Sequence, residues 1–149
     1  MHKHKILVIA EIQGVGVMLS MILSKEGYEV TVIEPFGYRS LPKGYTGVDD
    51  AMSKNKFDLI IPTNNGFPPR KILELVPEIK KRDPTAKIMV MSGHHPPDFV
   101  RELWETGIDD FMPLPFDVED FIERVKASLP LPSPLGGEGG VRGGSTQEA

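Results

Sequence analysis

The sequence predicts an α/β domain built on a doubly wound, five-stranded parallel sheet. Three observations predict it: short continuous apolar runs recur along the chain, amphipathic segments separate them, and glycine or proline stands at many of the junctions. Such apolar runs are typical of strands that are covered on both faces, as in parallel sheets. Strands that alternate with helices pair in parallel through right-handed crossovers.

The first half of the chain supplies three predicted strands, at residues 6–10, 30–33 and 57–61. Pro62 is expected to end the third strand, because proline has no N–H for the sheet ladder. Residues 35–46 are expected to be irregular, before a short helix at 48–53. A longer helix is predicted between the first two strands, and Gly27 marks its end. The residues predicted to form its inner stripe are Val15, Met18, Leu19, Ile22 and Leu23.

The second half predicts helices at 72–79 and 99–104, with strands at 88–91 and 110–112. Pro77 lies inside the first of these helices, where it predicts a kink or a late start. Asp98 is the expected cap of the second. Asp117 is the expected cap of a last helix. The inner face of that last helix is predicted to be Val118, Phe121, Ile122 and Val125.

Composition narrows the classes of function. The 149 residues include 40% hydrophobic and 26% charged side chains, with a formal net charge of −4 and no cysteine. An acidic chain is a poor fit to nucleic acid, and the lack of cysteine excludes disulfides and thiol chemistry. The apolar run at 6–10 is too short for a signal peptide or a membrane span, so we expect a cytoplasmic protein.

Two units are expected along the chain, a folded domain at 1–128 and a tail at 129–149. The tail is rich in proline and glycine and has almost no apolar periodicity. Such a composition buries too little surface to offset its ordering entropy, so we expect the tail to be disordered.

Several segments carry a resemblance to a known family. They are Lys5-Ile6-Leu7-Val8-Ile9, Gly27-Tyr28-Glu29-Val30, Phe57-Asp58-Leu59-Ile60-Ile61, Ile88-Met89-Val90-Met91-Ser92-Gly93 and the run from Gly107 to Phe116. In order and spacing, residues 5–128 resemble the receiver (CheY-like) domain of bacterial response regulators. This resemblance implies the flavodoxin-like (βα)5 fold, and ligands in that fold sit beyond the carboxyl ends of the strands.

The resemblance also implies where a phosphorylation site would lie. In receivers, an acidic pair after the first strand holds a divalent metal, and an aspartate after the third strand accepts the phosphoryl group. A hydroxyl after the fourth strand and a lysine after the fifth bind that group. The matching positions here are Ala10 and Glu11, Thr63 or Asn64, Ser92, and Leu114 followed by Pro115. Counting from either side leaves Thr63 and Asn64 both open, and a cis Leu114–Pro115 bond is expected by analogy.

The acceptor aspartate, one carboxylate of the acidic pair and the lysine are therefore missing. We expect a degenerate pseudo-receiver, a stand-alone signalling module of a two-component phosphorelay that is not an enzyme and holds no metal or cofactor. It would act through protein contacts, with a histidine kinase or other signalling protein as partner and a homodimer left open. Neither a nucleic acid nor a membrane is expected as a partner. The resemblance places the interaction face at Trp104 and Phe111, although packing in the core is the simpler role for each.

Two alternative functions remain open at this point. One is a receiver phosphorylated at an atypical residue, with Thr63 as the acceptor. The other is a nucleotide-binding half-domain, because Gly14-Val15-Gly16 opens a helix after a strand and Glu34 ends the next strand. That motif is defective, since Leu19 replaces its third glycine. His94 and His95 are adjacent in a loop and are expected to be ordinary loop residues and not metal ligands.

Overall fold

The computed structural model describes residues 3–10, 14–33, 41–64, 70–93 and 95–129. Within these ranges, five strands alternate with five helices. They are β1 (Lys5–Ala10), α1 (Val15–Lys25), β2 (Glu29–Ile33), α2 (Leu41–Lys54), β3 (Leu59–Asn64), α3 (Arg70–Arg82), β4 (Lys87–Ser92), α4 (Pro97–Glu105), β5 (Asp110–Pro113) and α5 (Val118–Ser128). The strands form one sheet in the order β2-β1-β3-β4-β5, and every pair is parallel. The predicted fold class is confirmed.

Two apolar cores cover the two faces of the sheet. On one face, α2, α3 and α4 pack over side chains such as Ile60 and Val90. On the other face, α1 and α5 pack over Val8 and Met91. Leu129 is buried in this second core, so the folded unit includes it. The rest of the predicted tail lies outside the described residues.

Carboxylates hold the amino ends of two strands in the sheet. The Asp58 carboxylate accepts a hydrogen bond from the Lys5 N–H at 2.9 Å, and the Asp109 carboxylate accepts one from the Ile88 N–H at 2.8 Å. A strand's terminal donors have no neighbour to pair with, and buried backbone groups need partners. These side chains therefore fix where β1 and β4 begin.

The prediction that Pro62 ends the third strand is wrong. Pro62 lies inside β3, a central strand, and its Cα partner in β1 is Ile9. On the other side, the register pairs with β4 skip Ile61 and Pro62 and resume at Thr63. Pairing with β1 thus carries the strand past the missing donor, and the ladder with β4 is interrupted there. The carboxyl end of β3 is therefore at Asn64.

The prediction of an irregular segment at 35–46 is also wrong from Leu41 onward. Helix α2 begins at Leu41, well before the predicted start at residue 48. Pro42 is tolerated because the first turn of a helix has no use for its N–H. The two internal glycines cost about 1 kcal/mol each. Burial of Val48, with Ala51 and Met52 packed beside it, offsets that cost.

Pro77 does not delay α3, which begins at Arg70 and runs through the proline to Arg82. The late start is therefore wrong, and the kink stays a prediction. Burial of Ile72, Val76 and Ile79 in the core holds the helix together on both sides of the proline.

Two residues predicted to face the core point outward instead. Met18 of α1 and Val118 of α5 are both nearly half exposed, whereas Leu19 and Phe121 beside them are fully buried. A core-facing stripe needs only part of a helix circumference. In both helices the apolar pattern is wider than the buried face, and the sequence pattern alone does not show which apolar residue is left outside.

The two predicted caps differ in outcome. Asp117 caps α5, because its carboxylate accepts a hydrogen bond from the Asp120 N–H at 2.9 Å. Asp98 is not a cap: the N-cap of α4 is Pro96, and the Asp98 carboxylate pairs with Arg101 at 3.1 Å within the first turns. Proline at the first helical position, Pro97, fixes this start two residues earlier than expected.

We expect Asp117→Ala to lower the free energy of unfolding by about 1 kcal/mol, because it removes the acceptor for a helix-end N–H. Urea denaturation followed by circular dichroism measures the change. Asp98→Ala is the matched control, since it loses only an exposed ion pair, and we expect it to change stability by less than about 0.5 kcal/mol. Equal losses in the two variants would contradict the capping role.

Within the residues described, none of the helices has the length and apolar character needed to cross a membrane.

Candidate functional site at the carboxyl edge of the sheet

The carboxyl ends of the four strands β1, β3, β4 and β5 meet at one edge, as parallel pairing requires. The register joins Ala10 to Thr63, Asn64 to Ser92, and Ser92 to Pro113. The described positions of the predicted site are therefore brought together along this edge. Glu11 and the side chain of Asn64 lie outside the described residues.

Thr63 is the most constrained of these residues. It is 7% exposed, and its hydroxyl donates a hydrogen bond to the carbonyl oxygen of Ile9 at 3.3 Å. Its partner across the strand pair, Ala10, is fully buried and apolar. The hydroxyl proton of Thr63 is thus held by the backbone of β1, and Ala10 has no group that could act as a base.

Leu114 lies just beyond β5, next to the end of β4. Its N–H donates to the carbonyl oxygen of Ser92 at 2.9 Å, and the expected cis bond joins it to Pro115. The Leu114 side chain is half-buried and packs against the core under α1 and α5, the same core that contains Ala10. Ser92 itself is fully buried. This wall of the site is apolar.

The described part of the edge lacks the charges that a phosphorylation site uses. Ala10, Thr63, Ser92 and Leu114 carry no ionisable group. Among the described residues there is no group of three or more His, Asp or Glu side chains that could hold a metal ion.

A divalent metal, which the resemblance implies, does not fit the residues that the structure describes at this edge. Such ions take oxygen ligands, and magnesium sites in proteins are built on one or two carboxylates together with phosphate. Ala10 offers no oxygen from its side chain, and the Thr63 hydroxyl is engaged with Ile9. A hydroxyl bound to a carbonyl is a poor substitute for a carboxylate, so Ala10 and Thr63 do not form a magnesium site.

Charged groups gather instead at the opposite, amino edge of the sheet. An open groove of about 420 Å³ there is lined by residues 52–56 together with Arg82 and Asp83. Burial alone would raise the pKa of Asp83, but hydrogen bonds from Thr85 and the nearby Lys56 outweigh it and lower that pKa. Hydrogen bonds to Asp49 and Glu78 raise the pKa of Arg82. The ionised groups here pair with one another and stabilise the fold.

The two residues of the predicted interaction face have different environments. Trp104 on α4 is 46% exposed, whereas Phe111 on β5 is 9% exposed and packs in the core under α2, α3 and α4. Phe111 is thus a core aromatic in this structure. Trp104 presents about half of its surface to solvent.

The edge strand β5 is closed, in the sense that side chains hydrogen-bond to the backbone N–H and carbonyl groups of Phe111. The Phe111 N–H donates to the Asp110 carboxylate at 2.8 Å, and the Phe111 carbonyl accepts from Arg124 of α5 at 2.9 Å. Arg124 also pairs with Asp110 at 3.2 Å. Sequence reasoning missed this cluster, because its spacing of 13 and 14 residues between strand and helix has no local signature.

The described residues give little support to the two alternative sites, the nucleotide motif and the adjacent histidines. Leu19, in place of the third glycine of a nucleotide motif, is fully buried in the core. His95 is exposed, and His94 and Glu34 lie outside the described residues. The strand order 2-1-3-4-5 is the flavodoxin-like one, with the switch in strand order between β1 and β3. The candidate site lies at that switch point.

Comparisons with known proteins identify similar sequences and similar structures. No family model matches the chain. Sporulation initiation phosphotransferase F of Bacillus subtilis is 26% identical over 133 residues, which cover 89% of this chain and 99% of that protein. Response regulator ArlR of Staphylococcus saprophyticus is 30% identical over 125 residues, or 84% of this chain, and the match covers only 52% of ArlR. The chain thus spans about half the length of this second relative.

Solved structures share the fold. The crystal structure of a response regulator receiver domain protein (CheY-like) from Methanospirillum hungatei has a TM-score of 0.70 at 20% identity, covering 85% of this chain and 93% of that one. At this identity the likeness shows the fold alone. Together, the relatives and the fold support a response regulator receiver (CheY-like) domain of a two-component system.

Proposed function

We propose that this chain is a pseudo-receiver, a signalling module of a two-component phosphorelay that works without phosphorylation and through protein contacts. The observation that carries the proposal is the state of the carboxyl edge. A buried alanine stands beside a threonine whose hydroxyl is bonded to the backbone, and a leucine packs where the family has its lysine.

The chemistry explains why this edge is unsuited to phosphoryl transfer. A carboxylate attacks phosphorus, and negative charge spreads over the equatorial oxygens in the transition state. That charge is stabilised by preorganised cations and donors, chiefly a metal and a lysine. Leu114 supplies an apolar surface in place of the cation, so the developing charge would be unsolvated.

Protein docking is the function that we propose for this fold. The relatives imply signalling partners such as kinases, and a histidine kinase or another signalling protein is the partner we propose, in the cytoplasm. Trp104 is the proposed centre of contact, since half-exposed tryptophan is favoured at the centres of interfaces. Because the edge of β5 is closed, contact on the side of the sheet that ends at β5 is made by side chains and not by addition of a strand.

Incubation with acetyl phosphate and magnesium, followed by intact mass spectrometry, tests the proposal. We expect no phosphoryl adduct, because neither candidate acceptor, Thr63 or Asn64, is a carboxylate and Leu114 stands at the lysine position. A receiver that keeps its aspartate and lysine, treated in the same buffer, is the positive control. An adduct on this chain would overturn the proposal, and mapping it to Thr63 would establish the atypical receiver instead.

A further inference from the structure

The two edges of the sheet differ in how their backbone groups are paired. At one edge, Asp110 and Arg124 bind the N–H and the carbonyl of Phe111 in β5. The other edge is β2, where no side chain or turn among the described residues hydrogen-bonds to the backbone of Val30 or Val32. Unpaired groups along a strand edge are a template for pairing with another chain.

The hydrogen bonds of β2 show which of its groups point away from the sheet. Successive residues of a strand direct their N–H and C=O groups to opposite sides. The Glu29 N–H donates to the carbonyl oxygen of His4 at 3.0 Å, so Glu29 and every second residue after it face β1. Val30 and Val32 therefore direct two donors and two acceptors outward. We call these four groups the β2 edge. Both residues are only half-buried, so solvent reaches it.

The sequence of β2 lacks the features that usually block an edge. Glu29, at its start, is its only ionisable residue, and the strand contains no proline. All four residues from Val30 to Ile33 are β-branched, the class that favours strands. Edges that avoid association carry charges, proline or a bulge, or are covered by another segment. The β2 edge is thus built as a pairing surface, in contrast to the closed edge of β5.

We propose that the β2 edge pairs antiparallel with the β2 edge of a second copy of this chain, across a two-fold axis. Hydrogen bonding fixes the register. When the pairing is centred on Thr31, Val30 of one copy and Val32 of the other exchange both of their N–H···O bonds, and every group of the β2 edge is satisfied. A register shifted by two residues would pair only half of these groups with one another.

The side chains also favour a second copy as the occupant. In this register Thr31 lies opposite Thr31 of the other copy, and Val30 lies opposite Val32. Pairs of threonine and of β-branched residues directly across two strands are favourable. Glu29 lies opposite Ile33, so the two carboxylates stand at the two ends of the contact and do not meet. A two-fold contact places a surface against itself, and the Val-Thr-Val sequence reads the same in both directions.

Preorganisation separates a second copy from an extended segment of another protein. The β1 pairing, from Ile6–Val30 to Ile9–Ile33, already holds β2 as a strand. Two such strands can pair without ordering any further backbone, whereas a disordered segment would lose the conformational entropy of each residue that it adds. The contact uses the edge opposite to β5, so the closed edge takes no part in it.

Sedimentation velocity up to a concentration of about 1 mM tests the proposal. We expect the wild-type chain to pass from monomer to dimer. Thr31→Lys should weaken the association at least about 100-fold, because two like charges would lie directly opposite each other. Ser53→Lys is the matched control, since it adds the same charge at an exposed position of α2, and it should leave the dimer intact. Thermal melting checks that both variants fold.

A proline variant tests the hydrogen bonds themselves. Val32→Pro removes an outward N–H and leaves the bonds to β1 in place, because proline is tolerated in an edge strand where its nitrogen faces solvent. We expect it to weaken the dimer without introducing a charge, which keeps the proposal testable if Thr31→Lys fails to fold.

Amide hydrogen exchange, measured by NMR, locates the contact. We expect the Val30 and Val32 amides to exchange at least about 10-fold more slowly in the wild-type dimer than in a monomeric sample, since the dimer occupies their N–H groups. The Thr31 amide is the internal control. Its N–H faces β1, so it should be protected in both samples.

A wild-type chain that stays monomeric up to about 1 mM would overturn the proposal, as would folded Thr31→Lys and Val32→Pro variants that dimerise as well as wild type. Fast exchange of Val30 and Val32 in the dimer would place the contact elsewhere. Protection of both amides in the monomer would show that the same chain covers its own edge. Each of these results contradicts the β2 contact, and none bears on phosphoryl transfer, which the acetyl phosphate experiment tests separately.

Discussion

Replacing Thr63 by aspartate is expected to destabilise the fold by about 4 kcal/mol at pH 7 and not to restore phosphoryl transfer. The new carboxylate would be buried beside Ala10, and one of its oxygens would meet the Ile9 carbonyl that now accepts the Thr63 hydroxyl. Burial without a cation raises the pKa of a carboxyl by several units. A shift of about 3 units at 1.36 kcal/mol each gives the stated loss.

The sign of the pH dependence follows from that shift. The pKa of the introduced carboxyl is higher in the folded than in the unfolded chain, so the unfolded state loses its proton first as pH rises. The penalty is therefore absent below the unfolded pKa of about 3.9 and complete above a folded pKa of about 7. Urea denaturation of the variant at pH 4 and at pH 7, each relative to wild type at the same pH, measures it.

Thr63→Asn is the matched control for this experiment. Asparagine has nearly the shape of aspartate, but it carries no charge and can donate an N–H to the Ile9 carbonyl. We expect it to cost much less than aspartate and to show no added pH dependence. An aspartate variant as stable as wild type at pH 7 would show that the edge accepts an anion and would remove the electrostatic basis of the proposed function.

A second substitution extends the same argument. Leu114→Lys places a cation where the family has one, and we expect the Thr63→Asp, Leu114→Lys double variant to be more stable than the sum of the single changes predicts. Neighbouring residues in one electrostatic network couple by about 0.5–3 kcal/mol. A double-mutant cycle measures that coupling, and a value of zero would place Leu114 too far from Thr63 to act on it.

The sequence predicted the existence of the strands and the location of the candidate site better than it predicted where the strands and helices begin and end. Apolar runs such as 6–10 and 88–91 predict buried strands because they are continuous and too short for a buried helix. The meeting of Ala10, Thr63 and Ser92 then follows from topology, since parallel strands end at one edge. Residue identity alone predicted that the charges of a receiver are missing at the matching positions.

What the sequence could not show depends on neighbours in space. Pro62 stays in a strand because β1 pairs with it from one side, and α2 starts at Leu41 because the packing of its later turns supports a glycine-containing start. The Thr63 hydroxyl finds the Ile9 carbonyl only through the register between two strands. Met18 and its apolar neighbours look alike in sequence, and only the fold determines which of them stays exposed.

Phe111→Ala is expected to lower the free energy of unfolding by about 3–5 kcal/mol, the range for a buried phenylalanine. Phe111 packs in the core, its carbonyl is held by Arg124, and its N–H is held by Asp110. An aromatic that spent much of its time outside would cost far less on removal. Denaturation of this variant therefore separates a core aromatic from a residue that swings between buried and exposed states.

Trp104→Ala, on helix α4, is expected to have the opposite effect: a small loss of stability and a large loss of binding. Because Trp104 is about half exposed, we expect its removal to cost only about 1 kcal/mol of stability. A tryptophan at the centre of an interface contributes about 2 kcal/mol or more, so binding of a partner recovered from the native cell should weaken about 30-fold. Arg101→Ala, an exposed change on the same helix, is the control for binding.

The two substitutions together distinguish the proposed docking surface from the core behind it. If Trp104→Ala leaves binding unchanged while the chain still folds, the contact lies elsewhere, whatever Phe111→Ala does to stability. If Trp104→Ala unfolds the chain, the tryptophan is a packing residue and its exposed half carries no function. Loss of binding with retained stability is the one outcome that a docking role predicts, because only a partner can supply the contacts that the exposed half of Trp104 lacks.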